Sequence, residues 1–94
     1  SADNTIDGWQ VFNGNTLLTP SDEVDGGDNT FKLVFPIGTN ITNITIRFSL
    51  PESATIAQAT SGLNFTTNDG VKVFDIVAEN GDTRTYAFDI SIAE

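Results

Sequence analysis

The stretch VKVFDIVAENGDTRTYAFDISI, residues 71–92, decides the fold of this chain. In each half, apolar residues recur at every second position, the period of a strand with one buried face: Phe74, Ile76 and Ala78, then Tyr86, Phe88, Ile90 and Ile92. Between the halves, Asn80 and Gly81 tolerate the positive φ angles that hairpin turns require. The stretch therefore predicts a β-hairpin. Because Val71, Val73 and Val77 form a second apolar face, its first strand is predicted to be central or covered on both sides.

Further alternating runs predict more strands. Residues 44–50 place Ile44, Ile46 and Phe48 on one face. A second run, residues 31–35, stops before Pro36, which cannot donate to a sheet ladder. Shorter candidates lie at 9–12, 17–18 and 55–59. About six or seven short strands are typical of a sandwich of two antiparallel sheets.

Composition favours the same all-β class. The chain has 13 Thr, 9 Ile and 6 Val but no Met, so β-branched residues dominate over straight-chain helix formers. A chain of 94 residues is one small domain, which buries about 60–65% of the surface that its unfolded chain exposes. We expect residues 1–94 to form this domain, with 1–29 as an irregular part that contains short edge strands.

Charge and missing residue types exclude several functions. The net charge is −9, and the four cations are scattered, which excludes a nucleic-acid surface. No apolar run approaches the roughly 20 residues of a membrane helix. Without Cys or His, the usual nucleophile–histidine pairs and zinc sites are absent, and no cofactor is expected. Only carboxylates remain as catalysts, and we expect no enzyme.

The triplet Asn-Ile-Thr occurs twice in succession, at residues 40–42 and 43–45. One strand running through both would point Ile41 and Ile44 to opposite faces, because their separation is odd. The first triplet is therefore predicted to lie in a turn after Gly38, with Ile41 returning to the core edge. Asn40, Asn43 and Asn64 also match the N-glycosylation pattern, which a chain rich in Asn and Thr matches by chance, so we expect no modification.

Two features are candidate ligand sites. The acidic stretch with Asp22, Asp25 and Asp28 offers the oxygen ligands that calcium prefers, although it lacks EF-hand spacing and a solvated loop is the commoner role. Trp9, predicted on an edge strand, offers an aromatic face for a sugar ring if it is exposed. The alternative is that Trp9 fills the core, which its large area favours.

The segments FDIVAENGDTRTYAFDISI, FPIGTNITNITIRFSLPESATI and SGLNFT resemble bacterial immunoglobulin-like and cadherin-like β-sandwich domains. In particular they are similar to N-terminal domains of Bacteroidetes surface lipoproteins that handle glycans. The resemblance covers Thr30–Ile92 and implies an extracytoplasmic module of a longer chain, whose partners are neighbouring domains and in some cases a glycan.

The expected function is therefore a monomeric, non-catalytic spacer or interaction module. Two alternatives stay open: a carbohydrate-binding module that uses Trp9, and an adhesion or assembly module that adds a strand at an exposed sheet edge.

Overall fold

A computed structural model describes residues 3–27 and 29–94 of the chain. Within these residues eight strands form two sheets. The strands are β1 (Gly8–Asn13), β2 (Thr16–Leu18), β3 (Asp22–Asp25), β4 (Thr30–Phe35), β5 (Ile44–Ser49), β6 (Thr55–Ile56), β7 (Val71–Val77) and β8 (Thr83–Ile92). One sheet has the order β2-β1-β5, and the other has the order β3-β4-β8-β7-β6. The predicted all-β sandwich of two sheets is confirmed.

The core lies between the sheets and is rich in aromatic rings. Phe88 is fully buried at its centre, and its ring centroid lies 5.0 Å from that of Phe31 and 5.8 Å from that of Phe74. The three-stranded sheet contributes aliphatic side chains from β1 and β5, and those of β5 alternate as predicted. The fully buried side chains are Val11, Leu33, Phe35, Ile44, Ile46, Phe65, Phe74, Ile76, Phe88 and Ile90.

The predicted hairpin is confirmed as β7 and β8. The N–H of Ala78 donates to the carbonyl of Asp82 at 2.8 Å, and the N–H of Gly81 donates to the carbonyl of Ala78 at 2.9 Å. β7 is central, because β8 and β6 flank it. It is not covered on both faces, since Val73 on the outer face is 50% exposed.

The five-stranded sheet is mixed, so the prediction of two purely antiparallel sheets is wrong in one pairing. β4 and β8 run parallel, with Phe31 opposite Phe88 and Phe35 opposite Ile92. A parallel pair needs a long crossover, and here the intervening chain builds β5, β6 and β7 before it returns. Alternation within a strand predicts which face is buried but not which strand becomes its neighbour.

Residues 3–27 are more regular than predicted. β1 is the middle strand of its sheet, because β2 pairs with one of its edges and β5 with the other. The prediction that Trp9 lies on an edge strand is therefore wrong. β3 was not predicted, since its sequence Asp-Glu-Val-Asp has low β propensity, and it forms because its residues pair with β4.

Most of the sheet edges among the described residues are short, charged or covered. β2 and β6 have only three and two residues, and β3 carries Asp22 and Glu23. The free edge of β5 is covered by a segment that crosses between the sheets, which we call the crossing segment (residues 57–63). Its Thr60 carbonyl accepts from the N–H of Ile46 at 2.8 Å, and Leu63 pairs with Ile44. These are the devices by which proteins avoid unwanted strand pairing.

The chain enters and leaves the sandwich at opposite ends of β8. Residues 3–7, which we call the N-terminal strap, lie at the beginning of β8: the buried side chain of Asn4 donates to the Asp82 carbonyl at 3.2 Å and accepts from Arg84 Nε at 2.9 Å. The N–H of Ile6 donates to the Tyr86 hydroxyl at 3.3 Å. At the far end, the N–H of Ala93 donates to the Phe35 carbonyl at 2.8 Å.

Candidate functional site

Trp9, the candidate sugar-binding residue, is half-buried and packs against the core. Its ring centroid lies 6.2 Å from that of Phe31 and 5.9 Å from that of Phe88, the latter edge to face. Alternation along β1 directs Trp9 and Val11 inward, because both are odd-numbered residues of one strand. Most of the aromatic surface that could stack on a sugar is therefore already in contact with other rings.

The remaining surface of Trp9 lines a hollow of about 430 Å³ between the two sheets. β1 contributes Trp9 and Gln10, the connection from β2 to β3 contributes Thr19 and Pro20, and Glu23 closes the other side. An aromatic ring beside a carboxylate and an amide is a combination that can bind a polar ligand with apolar faces. The part of Trp9 that remains accessible to a ligand is the part that lines this hollow.

A second hollow, of about 390 Å³, lies on the other side of Glu23. It is lined by Glu23, Asn29, Phe31 and Tyr86 together with nearby residues of β3 and β4. The rings of Phe31 and Tyr86 are stacked with centroids 5.9 Å apart, and Tyr86 is only 7% exposed. The prediction that Tyr86 belongs to the core is confirmed.

The first part of the acidic stretch proposed for calcium, Asp22–Asp25, forms β3. Asp22 and Glu23 are consecutive strand residues, so their side chains leave on opposite faces and do not converge on one ion. Asp28 and the side chain of Asp25 lie outside what the structure describes. Among the described residues, no group of three or more carboxylates could hold a metal ion. The part of this stretch that is described acts as a charged edge strand.

The Asn-x-Thr patterns have a structural role at two of their three positions. Asn40 Oδ1 accepts from the N–H of Thr42 at 2.9 Å and from its hydroxyl at 2.6 Å, and Asn64 accepts from Thr66 at the same two distances. These are Asx turns, in which a side chain replaces the backbone partner. As predicted, the first triplet lies outside the strand and Ile41 is buried, at 7% exposure. Asn43 is exposed directly before β5.

The same turn occurs at Asp3, where Oδ1 accepts from the N–H of Thr5 at 3.1 Å and from its hydroxyl at 2.7 Å. These bonds lower the pKa of the Asp3 carboxyl, because they stabilise its ionised form. An acid or amide two residues before Thr is thus a local turn signal at three places in this chain. The spacing alone does not determine the turn, because Asn43 also lies two residues before a Thr, and there the chain enters β5.

A polar network on the outer face of the five-stranded sheet was also missed. The carboxylate of Asp75 accepts from the hydroxyl of Thr85 on β8 and from Gln58 Nε2 at 2.7 Å, and the N–H of Asp75 donates to Gln58 Oε1 at 2.7 Å. The bond from Thr85, followed by that from Gln58, lowers the pKa of Asp75 from its ordinary value of 3.8. A general acid needs a raised pKa, so this carboxyl is suited to anchoring the crossing segment and not to proton donation.

The Asp75 network makes a specific contribution to acid sensitivity. Because its folded pKa is depressed, the stabilisation is present above the unfolded value near 3.8 and is lost as the pH falls through the lower folded value. We expect Asp75→Asn to destabilise the domain at neutral pH and the difference from the unsubstituted protein to shrink below pH 3.8. Urea unfolding as a function of pH measures this difference.

Thr85→Val is the partner variant, since it removes the first of the two donors and leaves the charge. Like Asp75→Asn, it should destabilise the domain at neutral pH. A difference between the proteins that stays constant from neutral to acid pH would show that Asp75 acts through packing and not through its charge.

Comparison with known proteins places this fold among Bacteroides structures. No protein-family model and no curated protein matches the sequence. A candidate glycoside hydrolase from Bacteroides thetaiotaomicron matches 99% of this chain with a TM-score of 0.75 at 17% identity, and a DUF4623 family protein from Bacteroides eggerthii matches 94% with a TM-score of 0.66 at 18% identity. This chain spans only 26% and 21% of those two proteins.

A third structure has about the same length as this chain. It is a candidate secreted protein from Bacteroides fragilis, with a TM-score of 0.66 and 9% identity, and the match covers 99% of this chain and 98% of the other. No helix among the described residues is long and apolar enough to cross a membrane. At these identities the likeness shows the fold alone: this chain has a β-sandwich fold that also occurs as one part of much longer Bacteroides proteins.

Proposed function

We propose that the chain is a non-catalytic, immunoglobulin-like spacer module of an extracytoplasmic bacterial protein that handles glycans. The observation that carries the proposal is the position of the two chain ends. The N-terminal strap is bound to the first residues of β8 through Asn4 and Ile6, and Ala93 is bound beside its last residues. Neighbouring domains joined here would be held apart by the length of the sandwich.

The dimensions suit this role. β8 has 10 residues, which at ~3.3 Å per residue gives a strand of about 33 Å. The molecule as a whole measures 42 × 28 × 21 Å, so the strand runs for most of its longest extent. A spacer is useful only if its ends are fixed to its body, and hydrogen bonds at both ends of β8 supply that attachment.

Two further findings support the proposal. The fold occurs as about a quarter of a candidate glycoside hydrolase chain, where it accompanies other parts of a longer protein. The ring of Trp9 packs against Phe31 and Phe88, which favours a structural role for this residue over sugar binding. The extracytoplasmic setting is supported by the candidate secreted protein that shares the fold.

The rigid separation of the ends can be measured directly, because the chain has no cysteine that would be labelled by accident. In Asp3→Cys/Glu94→Cys, spin labels at the two ends should give one narrow distance distribution of about 33 Å or slightly more, set by the length of β8. The pair Asp3→Cys/Glu52→Cys is the control, since both residues line one hollow at the strap end and should give a short distance.

A broad distribution, or a separation no longer than that of the control pair, would contradict the spacer.

The carbohydrate-binding alternative is tested by NMR. Soluble oligosaccharides are added to the isotope-labelled protein without spin labels, and the signal of the Trp9 indole is observed. Saturable shifts of that signal at millimolar sugar would favour binding through the Trp9 hollow over a purely structural role.

A further inference from the structure

Asparagine followed by glycine occurs twice in this chain, and both copies lie at hairpin turns. Asn13 is the last residue of β1, and Gly14 begins the turn to β2. Asn80 and Gly81 lie in the turn between β7 and β8. Such a pair can react with itself, because the backbone nitrogen of the glycine can attack the side-chain amide carbon of the asparagine without hindrance from a Cβ atom. By sequence the two pairs are equivalent, but their hydrogen bonds differ.

In the second pair, hydrogen bonds hold both reacting groups. The N–H of Gly81 donates to the Ala78 carbonyl at 2.9 Å. The Asn80 amide is fixed as well, since its Oδ1 accepts from the N–H of Asp82 at 3.0 Å and its Nδ2 donates to the Asp82 carboxylate at 3.2 Å. The attacking nitrogen must lose its proton and the amide must be free to turn, so these bonds oppose the reaction. The folded turn therefore protects Asn80.

In the first pair, the attacking nitrogen has no hydrogen-bond partner among the described residues. Asn13 pairs with Thr16 across the hairpin, which leaves Gly14 and Asn15 as a two-residue turn outside the ladder. Gly14 is also exposed, and an added Cβ would meet nothing within 4 Å, so solvent reaches its nitrogen. Base can therefore remove the proton of this N–H with no hydrogen bond broken.

Among the described residues, a single exposed hydrogen bond holds the Asn13 amide. Its Nδ2 donates to the Asn40 carbonyl at 2.9 Å. A neutral bond at the surface has a small net strength, because water competes for both partners. The Asn13 side chain can therefore leave Asn40 and present its amide carbon to Gly14 while the strands stay paired.

We propose that Asn13 is a site of spontaneous deamidation and that the fold protects Asn80 from the same reaction. A bond forms between the Gly14 nitrogen and Cγ of Asn13, and the C–N bond of the side-chain amide breaks. The displaced proton leaves with the NH₂ group as ammonia, which gives a cyclic imide. Water then opens the ring to aspartate or isoaspartate, so the sum is amide plus water to carboxylic acid plus ammonia. A spacer does not need this reaction, so the inference goes beyond the proposed function.

The product alters the contact with Asn40. Aspartate has no side-chain N–H to donate, so a carboxylate oxygen faces the Asn40 carbonyl oxygen and the hydrogen bond is lost. Isoaspartate also lengthens the main chain by a carbon where Asn13 pairs with Thr16. Either product therefore loosens the connection between β4 and β5, residues 36–43, from the end of β1.

The test is incubation of the folded protein at mildly alkaline pH, followed by peptide mapping with mass spectrometry. Replacement of NH₂ by OH raises the mass of the peptide that contains the reacted residue. We expect conversion at Asn13 to be about tenfold faster than at Asn80, because the hydrogen bonds of the second turn oppose the reaction. In concentrated urea, where both turns are unfolded, the two rates should become nearly equal.

Gly14→Ala is the matched variant, since its Cβ hinders the attack but contacts nothing else. It should slow conversion at Asn13 severalfold, whereas Gly81→Ala should leave that rate unchanged. Asn13→Asp imitates the aspartate product, and it should speed amide exchange at Thr39, whose N–H donates to the Pro36 carbonyl in the same connection.

Three results would overturn the proposal. The first is equal conversion at the two sites, or faster conversion at Asn80, in the folded protein. The second is no conversion at Asn13 in the time in which the urea-unfolded protein reacts, which would show that this turn is protected too. The third is a difference that persists in urea, which would assign it to neighbouring residues and not to hydrogen bonds. Unchanged exchange at Thr39 in Asn13→Asp would contradict the loosening of residues 36–43.

Discussion

Phe88→Ala is expected to lower the free energy of unfolding by about 4 kcal/mol, the middle of the range for a buried phenylalanine. Phe88 is fully buried and its ring contacts those of Trp9, Phe31, Phe48 and Phe74, so the substitution removes the centre of the aromatic core. At ~4–8 °C per kcal/mol for a domain of this size, the melting temperature should fall by roughly 15–30 °C. Thermal unfolding followed by circular dichroism measures this.

Phe12→Ala is the matched control for that experiment. Phe12 is half-buried on the outer face of β1, where Arg47 Cζ lies 4.8 Å from its ring centroid. Its removal should cost only about 1 kcal/mol, from partial burial and the cation–π contact. Equal losses in the two variants would show that the space between the sheets is not the dominant core.

Gly70→Ala is expected to cost about 3 kcal/mol, the second largest effect, from a strained backbone and a steric clash together. Gly70 is buried with φ +80°, a conformation that residues with a side chain rarely adopt. A Cβ atom added there would collide with the backbone carbonyl oxygen of Ile90 on β8, which cannot move without breaking the ladder. Urea unfolding should show a lower midpoint with an unchanged slope.

Gly81→Ala separates the two causes. Gly81 in the hairpin turn has φ +94°, but an added Cβ would meet nothing within 4 Å. Only the strain of a side chain at a positive φ angle remains there, and it should lower the free energy of unfolding by about 1 kcal/mol. If both variants lost the same stability, the contact between Gly70 and Ile90 would be unimportant.

Alternation was sufficient to predict the hairpin, β4 and β5, because each of these strands buries one face and exposes the other. The register of β7 on β8 follows from the short turn at Asn80 and Gly81. Burial of Ile41 was predictable from parity alone. These features depend on residues close together in the sequence, where local geometry limits the alternatives.

The features that were not predicted depend on distant neighbours. β3 is a strand because β4 lies beside it, although Asp22 and Glu23 disfavour strands on their own. The parallel position of β4 beside β8 joins residues more than 50 positions apart. Trp9 was assigned to an edge because the pairing of β1 with β5 has no local signal.

The attachment of the N-terminal strap and of Ala93 at opposite ends of β8 also determines how the domain should respond to tension. A pull between the N-terminal strap and Ala93 acts along the axis of β8, since the two points lie at its opposite ends. The strand then cannot be peeled away one bond at a time. To slide along its neighbours, β8 must break the hydrogen bonds of both ladders together. It shares six residue pairs with β4 and seven with β7. A module built in this way would keep its length under load and extend abruptly once both ladders had ruptured.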